Sequence, residues 1–531
     1  MNPSPWQNER RLVPRWRSLK ATLYSRELAS PLAPGRGGAS PMAVSTDMLA
    51  RLERWQISPS LVSAAELVEA CIVEGREENA IEAARRLVAI DKTAAPLIRD
   101  QAVRLLSKLG KSHELPEEVR AVETPVQNPR HFTRIHSRDP LGWVELALHQ
   151  TVHGAPQAAE RSMKVALGLS PQNRHVLRSA ARLFLHLDDP ERALELISRN
   201  SATKADPWLM ASEIALAQVV RKSPRFAKVG SLLLARSDMS PREITELAGA
   251  IATEELVSGN RKKARRAFSQ SLQDPTGNAL AQGEWAASSF GAELIAESQL
   301  SKAYENAEAM AFHAVRFKRY DRAPEFCEIW AENDPFSIRP FEFGAAVAGY
   351  VENFEKSIEL SERGLKLRPA APSLLNALAF AAASLGEIDR AVYALDRFRM
   401  SDADHRQKLI FSANQGLLAF RIGQLEVGRR RYLESIDGFR QAGDLELSAR
   451  ARIYLAREAM LAGCSDWPQL LKEARAAMSK HRDSDGHVSL AIIEARAKTI
   501  HDNPPPRASQ SQNDGNKLKE AVASVSVRFR L

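Results

Sequence analysis

Side chains that could do chemistry are few and scattered in this sequence. His149 and His153 lie four residues apart on a predicted helix, so both imidazoles face the same way and could supply two ligands to a metal ion. No acidic or cysteine ligand lies at a usable spacing beside them. An ordinary pair of surface histidines is therefore the favoured interpretation.

Motifs of known catalytic classes do not occur either. The chain has no GxxxxGK(S/T), GxSxG or HExxH, which mark nucleotide-binding loops, serine nucleophiles and zinc proteases. Cys71, Cys327 and Cys464 are far apart in apolar stretches, so we expect them to be buried thiols without a disulfide framework. The sequence predicts a protein that is not an enzyme, with no cofactor and no metal site.

Positive charge is concentrated in one short run, although the net charge of +9 over 531 residues is mild. This basic run, at the predicted start of a helix, consists of Arg261, Lys262, Lys263, Arg265 and Arg266. The helix macrodipole disfavours cations there by ~0.3–1 kcal/mol each, which hints at a use such as binding an acidic peptide or a phosphate backbone. A solvated helix face is nevertheless the favoured interpretation, and no aromatic residues interleave to stack on bases.

Prolines reveal a period in the elements that carry these residues. Pro207, Pro241 and Pro275 are spaced by 34 residues, and so are Pro335 and Pro369. The spacing predicts repeated pairs of helices, with a proline closing the second helix of each pair.

Residue sizes follow the same period. In the segment 140–173, small residues stand where paired helices must approach closely, and larger ones fill the gaps between them. The large residues are Trp143, Leu146 and Met163, the small ones are Ala147, Ala159 and Ala166, and Pro171 follows. Equivalent small positions recur at Ala311 and Ala379, so we expect Ala147, Ala311 and Ala379 to be buried between paired helices.

This pattern resembles the tetratricopeptide repeat over roughly residues 60–440, with gaps. The resemblance implies an all-α helical-hairpin solenoid wound as a right-handed superhelix, here with irregular breaks and disordered ends. It also implies a protein that binds protein partners, with the first helix of each pair lining a concave groove. It does not say which partner is bound, because this fold serves many.

Breaks in the pattern divide the chain into six predicted segments. They are a basic and flexible N-terminal segment (1–47), N-terminal helical repeats (48–110), a linker or crossing loop (111–138), a tetratricopeptide-like array (139–440), C-terminal capping helices (441–500) and a disordered tail (501–531). The first segment is unusual because flexible tails rarely carry tryptophans such as Trp6 and Trp16. It is a candidate docking peptide, unless translation starts at Met42 or Met48.

Seven side chains are predicted to face outward from first helices and form a groove for a partner. They are Phe312, Arg316, Arg339, Glu342, Tyr350, Asn376 and Phe380. Relatives that clamp a chaperone's terminal carboxylate use Lys and Asn on these helices, which is not the pattern here. For the aromatic members, contact between adjacent repeats is the alternative role.

These observations favour an interaction scaffold or adaptor that holds a protein partner in the groove of the solenoid. The first alternative is a regulator that acts on nucleic acid, directly through the basic run or through a bound nuclease or transcription factor. A helical enzyme is the second. No apolar stretch approaches the length of a membrane span, so no membrane partner and a cytoplasmic location are expected.

Overall fold

The computed structural model describes ten stretches of the chain, which form two compact units. The N-terminal unit lies within residues 10–306 and the C-terminal unit within residues 307–531. The described stretches are 12–16, 46–74, 76–89, 96–111, 129–135, 137–235, 239–290, 294–300, 306–481 and 485–502. They contain 26 α-helices, a few 3₁₀ turns and no strand, which confirms the all-α prediction.

The N-terminal unit contains fifteen of these described helices. They are α1 (Thr46–Ile57), α2 (Leu61–Glu74), α3 (Ile81–Ala89), α4 (Pro96–Lys108), α5 (Pro129–Ile135), α6 (Pro140–Val152), α7 (Pro156–Leu169), α8 (Arg174–His186), α9 (Pro190–Arg199), α10 (Pro207–Val219), α11 (Ala227–Leu234), α12 (Pro241–Val257), α13 (Arg261–Ser271), α14 (Gly277–Phe290) and α15 (Glu297–Leu300).

The C-terminal unit contains the remaining eleven. They are α16 (Ala307–Arg316), α17 (Ala323–Asn333), α18 (Arg339–Tyr350), α19 (Phe354–Leu367), α20 (Pro372–Leu385), α21 (Ile388–Arg397), α22 (His405–Arg421), α23 (Leu425–Gln441), α24 (Leu445–Leu461), α25 (Trp467–Met478) and α26 (Gly486–Asp502).

Consecutive helices pack in pairs joined by short turns, and the turns repeat with the expected period. The first helices are α6, α8, α10, α12 and α14 in one unit and α16, α18, α20, α22 and α24 in the other; each is followed by its second helix. Lys318, Glu352 and Gly386, each 34 residues after the last, follow three first helices with φ of 60°, 57° and 80°. This backbone repeat makes the chain a tetratricopeptide-like array of helical hairpins.

The first and second helices differ in how much of their surface is enclosed. In α10 every residue from Pro207 to Ala217 is buried, and in α20 every residue from Leu374 to Ala383. In the second helix α9 only Ala193 and Ile197 are buried. A helix that is apolar on all sides belongs inside a protein, whereas an amphipathic one covers it. The first helices therefore form the interior of each unit.

Small residues allow this close packing. Ala147 and Ala311 have no exposed surface and Ala379 is 1% exposed, which confirms their predicted burial. All three lie on first helices.

The prolines at the 34-residue spacing have two roles. The predicted role, closing a second helix, is wrong for Pro207 and Pro241. Pro275, Pro335 and Pro369 lie in the turn after a second helix, as expected. Pro207 and Pro241 instead begin α10 and α12. Proline suits the first position of a helix because its missing N–H has no partner there and its φ is already helical.

The predicted segment boundaries stay predictions, although the structure describes parts of several segments. Within 111–138, residues 129–135 form α5, while 112–128 lie outside the described residues. Helices α24 to α26 lie largely within 441–500. Of the tail from 501 onward, only the last two residues of α26 are described.

We expect Ala379→Leu to destabilise the C-terminal unit by ~1–3 kcal/mol, because the larger side chain overpacks a helix enclosed on all sides. The measurement is chemical denaturation of the full chain followed by circular dichroism. Ala476→Leu, at an exposed position of α25, is the matched control and should shift the free energy of unfolding by less than about 0.5 kcal/mol. Equal midpoints for the two variants would contradict the packing described here.

Candidate functional site

The structure buries most of the side chains that were predicted to line a groove. Phe312, Tyr350, Asn376 and Phe380 are at most 4% exposed. The expectation that these four face solvent is therefore not met, because other helices of the same unit cover them.

The aromatic members pack against their own chain. The ring of Phe312 lies 4.8 Å from that of Phe343 between centroids, edge to face. The ring of Phe380 lies 5.8 Å from Phe354 and 5.1 Å from Tyr454 in the same manner. Such pairs contribute roughly 0.5–1.5 kcal/mol beyond the area that they bury. Contact between repeats is the alternative role that was predicted for these aromatic residues.

The polar members also find partners within the chain. Arg339 donates to Glu308 at 2.7 Å, and Glu342 accepts from Ser373. Loss of hydration raises the pKa of the Glu342 carboxyl, which the nearby Arg339 partly opposes. Arg316 is half-buried, with its guanidinium 4.5 Å from the ring centroid of Phe317.

Asn376 links two first helices through its side-chain amide and its main-chain carbonyl. Its Nδ2 donates to the carbonyl of Gln407 at 3.1 Å, and its own carbonyl accepts from Nδ2 of Asn414 at 2.9 Å. These bonds join α20 to α22 in an interior where an unpaired amide would be costly.

A buried arginine covers the inner face of the C-terminal unit, which is the face formed by its first helices. Arg457 on α24 is 1% exposed and donates to Glu458 at 2.6 Å, to Ser384 at 3.1 Å and to Glu352 at 3.4 Å. Its guanidinium lies 5.1 Å from the ring centroid of Phe380. Helix α24 is thereby joined to the turn after α18 and to the end of α20.

The last described helix covers the same face. Asp485, just before α26, accepts from the hydroxyl of Tyr320 at 2.7 Å and from Lys318 at 3.2 Å. Burial and this carboxylate raise the pKa of Tyr320, since both disfavour the phenolate. Arg496 within α26 pairs with Glu352. The chain's own helices α24 and α26 thus occupy the space where a partner was expected.

In the N-terminal unit an ion pair crosses between alternate first helices. Arg178 on α8 donates to Glu246 on α12 at 2.6 Å, and both side chains are buried. The indole of Trp208, on the intervening α10, lies 4.8 Å from the guanidinium of Arg178 and 5.1 Å from that of Arg174. Arg174 also pairs at 2.6 Å with Asp206, which caps α10.

A short piece of the N-terminal segment lies against these first helices. Residues 12–16 have no regular secondary structure, yet Leu12 and Trp16 are each 1% exposed. The Nδ2 of Asn278 donates to the carbonyl of Val13 at 3.3 Å. Asn278 also lies 3.5 Å from the carboxylate of Glu246, so the segment adjoins the buried ion pair.

Sequence reasoning singled out Trp16 but not the surface that receives it. A tryptophan in a charged terminal segment was a usable signal. Gly249 on α12, which lies beside Leu12, and Asn278, which contacts Val13, carried no such signal, because a glycine in a helix and an asparagine at a helix start are common. Leu12 was not singled out either.

The basic run lies at the start of α13, as predicted, and all five of its cations are exposed. Asn260 precedes the helix without a side-chain cap, and the first turn holds no acidic residue. The inward face of α13 consists of Ala264, Ala267, Phe268 and Ser271. The run is therefore presented on the outside of the N-terminal unit.

The histidine pair and the three cysteines are the remaining groups with possible chemistry. The rings of His149 and His153 stack with centroids 4.1 Å apart, and burial lowers the pKa of His149. The described residues contain no cluster of three or more potential metal ligands, and none of their helices is long and apolar enough to cross a membrane. Cys71 and Cys327 are buried free thiols, but Cys464 is only half-buried because it follows α24 in an exposed turn.

No family model and no curated protein matches this chain. Among solved structures, it is similar to a chain of the APC/C hetero-tetramer Cut9–Hcn1, with 12% identity, a TM-score of 0.42, and 89% of this chain and 92% of that chain covered. It is also similar to yeast Tom70 (14%, TM-score 0.31, 84% and 97% covered) and to a chain of Naa15/Naa10 bound to HypK-THB (14%, 0.24, 91% and 89%). Likenesses at these levels say nothing about what this chain binds.

We expect Glu246→Gln to cost about 3–5 kcal/mol of stability, because Arg178 would keep its charge in a buried site without a carboxylate. Thermal and denaturant unfolding of the full chain provide the measurement. Glu195→Gln, which removes an exposed carboxylate also paired with an arginine, should cost no more than about 0.5 kcal/mol. A loss for Glu246→Gln as small as that of the control would show that the buried pair contributes little.

Proposed function

We propose that this chain is an adaptor or scaffold that binds a protein partner on its helical repeats. The observation that carries this proposal is segment 12–16, which has no regular secondary structure and lies buried against first helices of the N-terminal unit. A surface that holds one stretch of chain without secondary structure has the chemistry to hold another.

The groups around the segment suit the recognition of an extended peptide. Apolar side chains of α10 and α12 belong to the same cluster as Leu12, and Asn278 donates to a main-chain carbonyl of the segment. Apolar pockets give affinity, and groups directed at the backbone accept many sequences. Binding of this kind needs no catalytic group.

The C-terminal unit contributes differently to this function. A partner could reach Phe312, Tyr350, Asn376 or Phe380 only if the covering helices moved away, at the cost of the contacts of Arg457. We therefore assign the partner to the N-terminal unit and to the exposed second helices. The four buried residues stabilise the helical repeats on which they lie.

A second candidate function rests on the basic run. Five exposed cations at the start of α13 favour an acidic partner, which is either an acidic protein surface or a nucleic acid. In the first case the run adds to the scaffold role, and in the second the chain is a regulator that acts on nucleic acid.

Affinity purification with the tagged full chain tests the proposed function. We expect a protein partner to be recovered from nuclease-treated extract, to saturate as extract is added, and to bind again after both proteins are purified separately. Recovery that vanishes after nuclease treatment would reject the protein scaffold in favour of the second candidate. Failure to recover any saturable partner would reject both.

The basic run is tested by the variant in which Arg261, Lys262, Arg265 and Arg266 are replaced by Gln. If the run binds an acidic partner, recovery should fall in the variant and should fall in the wild type as salt rises, because exposed charges are screened within about 8 Å at physiological ionic strength. The helix should hold or gain slightly, since cations leave its N-terminal end. Equal recovery by wild type and variant at two salt concentrations would remove the run from the binding surface.

A further inference from the structure

Segment 12–16 contacts the N-terminal unit with alternate residues. Leu12, Pro14 and Trp16 are buried, whereas Val13 and Arg15 between them are half-buried. A period of two is that of an extended chain that presents one edge to a surface. Proline fixes its own φ and restricts Val13 to extended conformations, so little backbone entropy remains to be lost on binding.

A glycine in α12 makes room for the first of these side chains. A Cβ at Gly249 would lie 2.6 Å from Cδ1 of Leu12 and 3.0 Å from the hydroxyl of Ser271. The residues on both sides of this glycine are alanines, and glycine inside a helix costs about 0.5–1 kcal/mol relative to alanine. The chain thus keeps a less favourable helix residue at the point where Leu12 approaches.

Two hydrogen bonds between the segment and α14 involve main-chain carbonyls. Asn278 donates to the carbonyl of Val13 at 3.3 Å, and Arg15 donates to the carbonyl of Gly277 at 3.5 Å. Both bonds are long. The three apolar side chains of the segment are buried, and another segment of the same pattern can present equivalent side chains to this surface.

We propose that residues 12–16 are an intramolecular ligand in a binding site for extended protein segments. The site takes a leucine over Gly249 and a large aromatic residue four positions later, with an apolar residue between them. A partner protein that carries such a segment competes with residues 12–16 for the first helices α10, α12 and α14. This inference rests on the proposed scaffold function and names the chemistry of its ligand.

Competition with a tethered ligand sets the expected affinities. A segment on the same chain is present at an effective concentration on the order of millimolar, so a free peptide binds the wild-type chain weakly. Removing the two anchors should empty the site and leave it available. The variant Leu12→Ala/Trp16→Ala makes this change and leaves the helices untouched.

The experiment is fluorescence anisotropy of a labelled peptide with the sequence of residues 10–18, added to the full chain. We expect at least about tenfold tighter binding to the double variant than to the wild type, because the tethered competitor is gone. Adding Gly249→Ala to the double variant should weaken binding by at least about tenfold, since its Cβ fills the leucine site. Gly168→Ala, where a Cβ meets no atom within 4 Å, is the matched control and should leave binding unchanged.

A second readout needs no variant. Trypsin should cut after Arg15 at least about tenfold more slowly in the native wild-type chain than in the free peptide, because cleavage requires the segment to leave the surface. Equal cleavage rates would overturn the proposal. So would a double variant of unchanged helix content that fails to bind the peptide, or binding that is the same with and without Gly249→Ala.

These outcomes separate the inference from the proposed function. If the peptide fails to bind while a protein partner is still recovered, the inference falls and the scaffold stands. If the peptide binds but no partner is recovered, the scaffold falls and the contact is a structural one. The inference is then overturned as well, because no partner competes.

Discussion

The carboxylate of Glu458 accepts hydrogen bonds from Arg457 and Arg421 in the interior of the C-terminal unit, without any exposure of its own to water. Charged side chains are stable there only because each pairs with an opposite charge, since an isolated buried ion costs several kcal/mol. Arg178 and Glu246 obey the same constraint in the N-terminal unit. The side chains of first helices that are enclosed on all sides must be small and apolar, or they must carry charges that pair with a group on a neighbouring element. Short turns and amphipathic second helices follow from that enclosure.

Enclosure decides which surfaces a partner can reach. In the C-terminal unit the inner face is covered by α24 and α26, whole helices held by ion pairs and a tyrosine–carboxylate bond. In the N-terminal unit the comparable contact is made by residues 12–16, which have no secondary structure. A helix joined by several buried charges leaves its place at a much higher free-energy cost than five extended residues do. The cover of the C-terminal unit, formed by α24 and α26, is therefore permanent, whereas segment 12–16 on the N-terminal unit can be exchanged for a partner.

The repeats could be predicted from the sequence because their signals are local. The 34-residue period and the small residues Ala147, Ala311 and Ala379 depend only on neighbouring helices. The exposure of Tyr350 and Phe380 could not be predicted in this way. Periodicity tells which side chains point away from their own pair of helices. The residues that cover these two are distant in sequence: Arg450 contacts Tyr350 from 100 residues further along the chain, and Tyr454 contacts Phe380 from about 70 residues further along. Trp16 was noticed as unusual, but the surface that holds its segment depends on contacts more than two hundred residues away, such as that of Asn278 with Val13.

First helices are enclosed on all sides, and second helices cover them. Hydrogen–deuterium exchange of the full chain, resolved by mass spectrometry of peptides, measures this difference. We expect amides in α10, α12, α18 and α20 to exchange only with opening of their whole unit, whereas those in the second helices α9 and α21 should exchange through smaller local openings. Equal exchange in first and second helices, or faster exchange in the first, would contradict it.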